Sequence, residues 1–146
     1  MVGYSGTPLI TKLGIKAGQR AVFLNAPPEF GGLLGELPEG LQLLSSVTAP
    51  VDFVISFLMS GSGLHQTFAS VKKAMSPAGV LWVSWPKKSS GVVTDLNENL
   101  IREAGIHAGL VDIKVCAVDE TWSGLKFVIP VAARVTPRSA TRKQKI

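Results

Sequence analysis

Val80-Leu81-Trp82-Val83-Ser84-Trp85-Pro86-Lys87-Lys88-Ser89-Ser90-Gly91 is the stretch whose reading decides the fold. Its first six residues form a short run, apolar but for Ser84, the pattern of a strand covered on both faces. Pro86 ends the run and a small basic loop follows. Upstream, Leu64, Phe68, Val71 and Met75 recur at spacings of four, three and four, which places them on one face of a helix. Lys72 and Lys73 complement the dipole in its last turn, and Ser76-Pro77-Ala78-Gly79 turns the chain into the strand. A helix delivering a buried strand is the unit of a parallel sheet with right-handed crossovers.

Toward the N-terminus, Asp52-Phe53-Val54-Ile55-Ser56-Phe57-Leu58 is a second continuous apolar run, and Ser60-Gly61-Ser62-Gly63 links it to the helix. Arg20-Ala21-Val22-Phe23-Leu24-Asn25 reads as a further strand, stopped by Pro27-Pro28. Thr7-Pro8 suits the start of a first helix carrying Leu9, Ile10 and Leu13, with Gly14 at its end. Residues 29–40 promise only a helical turn around Leu33-Leu34, and Leu41-Gln42-Leu43-Leu44 a short strand.

Toward the C-terminus, Thr94 is the expected cap of a helix with Asp95 and Glu98 in its first turn. Leu96, Leu100, Ile101, Ala104 and Ala108 form its expected apolar stripe, and Gly109 its end. Residues 112–118 alternate as a strand with one wetter face. Residues 119–124 read as a turn, and residues 125–129 as the returning strand of an antiparallel pair. The expected architecture is α/β: a three-layer, Rossmann-like, mostly parallel sheet of about six strands closing in an antiparallel hairpin.

Composition narrows the function classes. The chain has 146 residues, 46% of them hydrophobic and 17% charged, which fits one domain with a sizeable core. One domain is expected over residues 1–132, with residues 133–146 a basic, disordered tail. No apolar run is long enough to span a membrane, and the first residues lack a secretory pattern. The single cysteine, Cys116, excludes an internal disulfide framework and suits a reducing, cytoplasmic setting. The net charge of +5 belongs to the tail: five of the bases lie in the last 13 residues, and the remaining ten match ten acids. Formal neutrality of the body argues against a nucleic-acid-binding surface, and nucleic-acid binding through the tail ranks below a merely solubilising role.

Leu13-Gly14-Ile15-Lys16-Ala17-Gly18-Gln19-Arg20-Ala21-Val22-Phe23-Leu24 resembles the approach to the first strand of the S-adenosylmethionine-dependent methyltransferase fold. Ser76-Pro77-Ala78-Gly79-Val80-Leu81 resembles that fold's Pro-x-Gly turn before a later strand, and the closing hairpin is also similar. Taken with Tyr4-Ser5-Gly6-Thr7-Pro8-Leu9, Trp85-Pro86-Lys87-Lys88 and Val118-Asp119-Glu120-Thr121-Trp122-Ser123-Gly124-Leu125, the chain looks like a family of small bacterial proteins of unknown function. The resemblance implies a truncated methyltransferase-like fold and brings no assigned activity. It breaks at the cofactor loop. That fold carries an acid and a Gly-x-Gly turn after the first strand, where this chain has Asn25-Ala26-Pro27-Pro28. Proline offers no amide hydrogen and fixes its own φ. Ser45-Ser46 stand where the ribose-binding acid is expected, and no cofactor is expected.

Ligands of open parallel sheets bind outside the carboxyl ends of the strands. The candidate site residues at that edge are Asn25, Trp85, Lys87, Lys88, Ser89, Ser90, Asp119, Glu120 and Trp122. Lys87, Lys88, Ser89 and Ser90 could hold an anion; the favoured alternative is a solvated turn whose lysines pair with Asp119 or Glu120. Trp85 and Trp122 could stack on a base or sugar, or else plug the top of the core. Asp119 or Glu120 could serve as acid or base. His65 and His107 are expected on different helices, at opposite ends relative to the sheet edge, and with one cysteine no metal site is expected. The first reading is therefore a small non-enzymatic binding or interaction protein. The alternative is a protein or enzyme that takes an anionic, nucleotide-like small molecule at the sheet edge, with a methyltransferase a more distant third. A homodimer through the open sheet edge is a further expectation.

Overall fold

The computed structural model describes residues 8–133. Six strands form one sheet in the order β2-β1-β3-β4-β6-β5. They are β1 (Arg20–Leu24), β2 (Gln42–Leu44), β3 (Val51–Phe57), β4 (Met75–Pro86), β5 (Val111–Ala117) and β6 (Trp122–Val128). Pairing is parallel from β2 to β4 and antiparallel across β4-β6-β5. This is the expected α/β architecture with its closing hairpin. Helices α1 (Leu9–Leu13) and α2 (Phe30–Leu34) cover one face, and α3 (Leu64–Ala74) and α4 (Glu98–His107) the other. Among the described residues no helix is long and apolar enough to cross a membrane.

The stretch that decided the fold is the sheet's centre. Residues 81–85 of β4 are all buried, because β3 flanks them on one side and β6 on the other. Leu81, Val83 and Trp85 pack toward α3 and α4 with Phe68, Val71 and Ile101. Trp82 packs toward α1 and α2 with Leu13 and Phe30. Full burial of a side chain of this size contributes about 1.5–3 kcal/mol. The indole N–H of Trp82 donates to the Leu13 carbonyl at 2.8 Å, so α1 is tied to the sheet at the carbonyl end where helices leave acceptors unmatched.

Several boundaries move from where the sequence put them. Thr94 does not cap α4: its hydroxyl accepts from Leu96 N–H and donates to the Met59 carbonyl. Asn97 is the cap, its side chain accepting from Leu100 N–H at 2.8 Å. Leu100, expected in the buried stripe, is 40% exposed. Strand β4 begins five residues early, at Met75, with an irregular register against β3. Strand β6 begins at Trp122, three residues early, because residues 122–124 pair with β4 instead of turning. His65, in the first turn of α3, and His107, at the end of α4, are not separated across the sheet as expected; the two rings meet edge to face, centroids 6.1 Å apart. Among the described residues no group of three or more metal-ligating side chains forms. Most of the basic tail lies outside the described residues.

Candidate functional site at the carboxyl edge of the sheet

The carboxyl ends of β1, β3 and β4 converge on one rim, and the side chains there come from turns with strong local constraints. Asn25 leaves β1 with φ 56°, the left-handed conformation that asparagine tolerates better than other non-glycine residues. The Pro27 carbonyl accepts from Phe30 N–H at 3.0 Å, which starts α2. The loops after β3 and β4 are tied together: Gly61 N–H donates to the Asp95 carboxylate at 2.8 Å and Thr94 to Met59 at 2.7 Å. Neither cross-loop bond was foreseen, since Asp95 and Thr94 read as helix-start residues.

Two depressions open on this rim. One, about 390 Å³, is lined by Asn25, Pro27, Phe57, Met59, Ser60, Ser62 and Trp122. The other, about 450 Å³, is lined by Trp85, Pro86, Lys88, Gly91, Thr94 and Asn97, among others. The candidates therefore divide. Asn25 and Trp122 share the first depression, Trp85 and Lys88 the second.

The tryptophans cannot act as one platform. Trp122 opposes Pro86 across β4 and β6, and opposed residues share a face, so Trp85 one position earlier points the other way. Trp85 is 7% exposed within the α3–α4 core, and Trp122 9% exposed within the α1–α2 core. On that second face Phe23, Phe30, Phe57 and Trp122 form a row of edge-to-face contacts with centroids 5.3, 5.0 and 5.1 Å apart. Such pairs add about 0.5–1.5 kcal/mol each beyond the area they bury.

The polar candidates are mostly committed to the fold. The Asp119 carboxylate accepts from both Thr121 N–H and Trp122 N–H at 2.8 Å, forming the hairpin turn instead of facing a ligand. Lys87 N–H donates to the Thr121 carbonyl at 2.7 Å. Ser90 donates to the Lys87 carbonyl and accepts from Val92 N–H. Ser89 and Glu120 are exposed. Among the described residues no ion pair joins Lys87 or Lys88 to Asp119 or Glu120; the two ion pairs both involve Arg102, with Glu98 and with Asp112. These two carboxylates raise the Arg102 guanidinium pKa, Asp112 foremost. Asn97, missed as a rim residue, carried a cap signal that the neighbouring Thr94 masked.

Cys116 lies within β5, packed beside the α1–α2 core, and burial raises its thiol pKa while Lys12, Lys114 and Lys126 oppose the rise. The hydroxyls of Ser56 and Ser84 are buried without a hydrogen-bond partner.

No family model matches the chain, and no curated protein matches it in sequence. Solved structures do match in fold. A TehB-like S-adenosylmethionine-dependent methyltransferase from Corynebacterium glutamicum superimposes with a TM-score of 0.57 at 9% identity, over 83% of this chain and 85% of that one. An S-adenosylmethionine-dependent methyltransferase from Aquifex aeolicus gives 0.54 at 14% identity, over 83% and 88%. The N-methyltransferase NodS from Bradyrhizobium japonicum gives 0.55 at 10% identity, over 83% and 89%. The chain has a methyltransferase-like Rossmann fold.

Proposed function

We propose that this protein is a non-enzymatic binding or interaction module, a methyltransferase-like scaffold whose cofactor edge is occupied by its own aromatic side chains. The observation that carries this reading is Trp122 standing edge-on to Phe57 at 5.1 Å, nearly buried, at the mouth between β1 and β3. The groups present do not fit S-adenosylmethionine as the fold's Gly-x-Gly loop holds it. Pro27 and Pro28 present no N–H to the ligand, and the exposed Ser45 and Ser46 after β2 carry no acid for a ribose. Asp119, the expected acid or base, is spent on its turn.

Calorimetric titration tests this directly. The expected result is no heat of binding for S-adenosylmethionine or S-adenosylhomocysteine at millimolar concentration, with the full chain and with Trp122→Ala. Saturable binding to the full chain overturns the reading.

A second reading, an anionic small molecule in the β4 depression, is favoured by Lys88 and Asn97 lining it together. It predicts that a phosphate- or carboxylate-bearing metabolite raises Tm and that Lys88→Ala removes the rise.

For the interaction half, β5 is the outer strand and exposes Val111, Ile113 and Val115. Its bulge between Asp112 and Lys114 and the charge of Lys114 guard the edge against strand addition. A homodimer contact therefore falls on the aliphatic side chains. Light scattering should show a concentration-dependent dimer that Ile113→Lys disperses; a strict monomer overturns it.

A further inference from the structure

Formal neutrality of the folded body conceals how its charges are distributed. Lys114 on β5 and Lys126 on β6 are direct partners in the antiparallel register, so their side chains leave the sheet on one face. Like charges directly opposed in this way destabilise a strand pair. The pairing exists because of the bulge at Ile113: without it, Asp112 opposite Phe127 would set Ile113 opposite Lys126. Bulges re-aim side chains, and this one adds a second lysine to a face that already carries one.

Lys12 joins them. The Lys114 ammonium reaches the Lys12 carbonyl at 3.5 Å, and the Lys12 ammonium reaches the Ala117 carbonyl at 3.4 Å. The Lys126 ammonium stands 5.9 Å from the centre of the Trp82 ring and close to Gly14. Burial, then Lys114 and Lys16, hold the Lys126 ammonium below its ordinary pKa, against a smaller opposing pull from Cys116 when it is a thiolate. Among the described residues Lys16, Lys114 and Lys126 have no carboxylate partner. Nearby Asp112 is turned to Arg102 and Asp119 to its own turn. The carbonyl end of α1 attracts these cations, but a helix of five residues offers little dipole to offset the Lys114–Lys126 pair.

We propose that Lys114 and Lys126, with Lys12 beside them, form a binding site for phosphate groups on the α1-side face of the β5–β6 hairpin, remote from the carboxyl rim. Lysines act on phosphate as point charges without the geometric demand of arginine, which suits free phosphate or successive phosphates of a nucleic-acid strand. An anion settled among them relieves the Lys114–Lys126 repulsion, so binding and stability are linked.

The test uses the full chain, Lys114→Gln with Lys126→Gln, and as a charge-matched control Lys72→Gln with Lys73→Gln on exposed α3 positions. Melting is followed in inorganic phosphate against chloride at equal ionic strength, and binding of a fluorescein-labelled single-stranded oligonucleotide by anisotropy against salt. Phosphate should raise Tm of the wild type and the control and leave the hairpin variant unmoved, while that variant melts higher than wild type without phosphate. For a strand ligand, the hairpin variant should bind at least about tenfold more weakly, with a salt slope lower by roughly 0.7 per lysine removed. A phosphate response without a strand response assigns the site to free phosphate. Neither ligand responding to the hairpin substitutions overturns the site, and polyglutamate matching phosphate in the melting shift overturns the phosphate assignment.

Discussion

Replacing Gly105 with alanine tests how α4 is held on the sheet. A Cβ at residue 105 would lie 2.2 Å from Cε1 of Phe127 and 2.8 Å from two more ring atoms. The ring cannot step aside. Phe127 is fully buried and stands edge-on to Phe68 at 4.9 Å, with Ile101 and Leu125 in the same cluster. Helix α4 would have to lift, loosening Ile101 and Ala104. Overpacking of this kind costs about 1–3 kcal/mol, and the better helix propensity of alanine returns up to about 1 kcal/mol. The clash is with a wedged aromatic ring, so we expect the upper part of that range and a net loss of about 1–2 kcal/mol.

Urea denaturation should show a lower midpoint with an unchanged m-value, and a thermal scan a Tm lower by roughly 3–8 °C. In a Phe127→Leu background the penalty should vanish or reverse, giving a coupling energy of about 0.5–3 kcal/mol between the two sites. Gly105→Ala as stable as wild type in the Phe127 background would refute the close approach of α4 to β6.

Asp119→Ala removes the single oxygen, Oδ1, that accepts both hydrogen bonds of the hairpin turn and should cost about 1–2 kcal/mol. Asn, which keeps one accepting oxygen, should recover most of it, and equal losses for both would show that the carboxylate does something other than hold the turn. Cys116 should react with a disulfide reagent more slowly than a free thiol at mildly alkaline pH, since burial above all raises its pKa and the thiolate is the nucleophile. A raised pKa in the folded state means that stability is greatest below the ordinary thiol value and falls as pH climbs through the folded one. Cys116→Ala should flatten that alkaline decline, and an undiminished decline would place its cause elsewhere.

What the sequence showed of this fold is what hydrophobic periodicity can carry. Residues 53–58 and 81–85 are apolar apart from Ser56 and Ser84 because helices cover both faces of the sheet there, and the α3 face repeats at helical spacing because only one side of it meets the core. Helix α4 was placed less well, since threonine, aspartate and asparagine all form local caps and turns. Choosing among Thr94, Asp95 and Asn97 depends on Met59 and Gly61, which are distant in sequence.

The candidate sites depended on strand parity, which composition does not carry. Trp85 and Trp122 read as a pair because both flank the rim, yet the register that sets Trp122 against Pro86 sends them to opposite cores. The same arithmetic works in reverse on the hairpin. A regular β5 would turn Lys114 toward α4, the face on which Asp112 meets Arg102, and one extra residue at Ile113 sets it beside Lys126 instead. A sequence with ten bases and ten acids in its body is neutral only as a count. Once the bulge fixes which side chains share a face, two of those bases stand opposed with no acid between them, at a cost in stability that a chain selected for stability alone would remove by a single substitution.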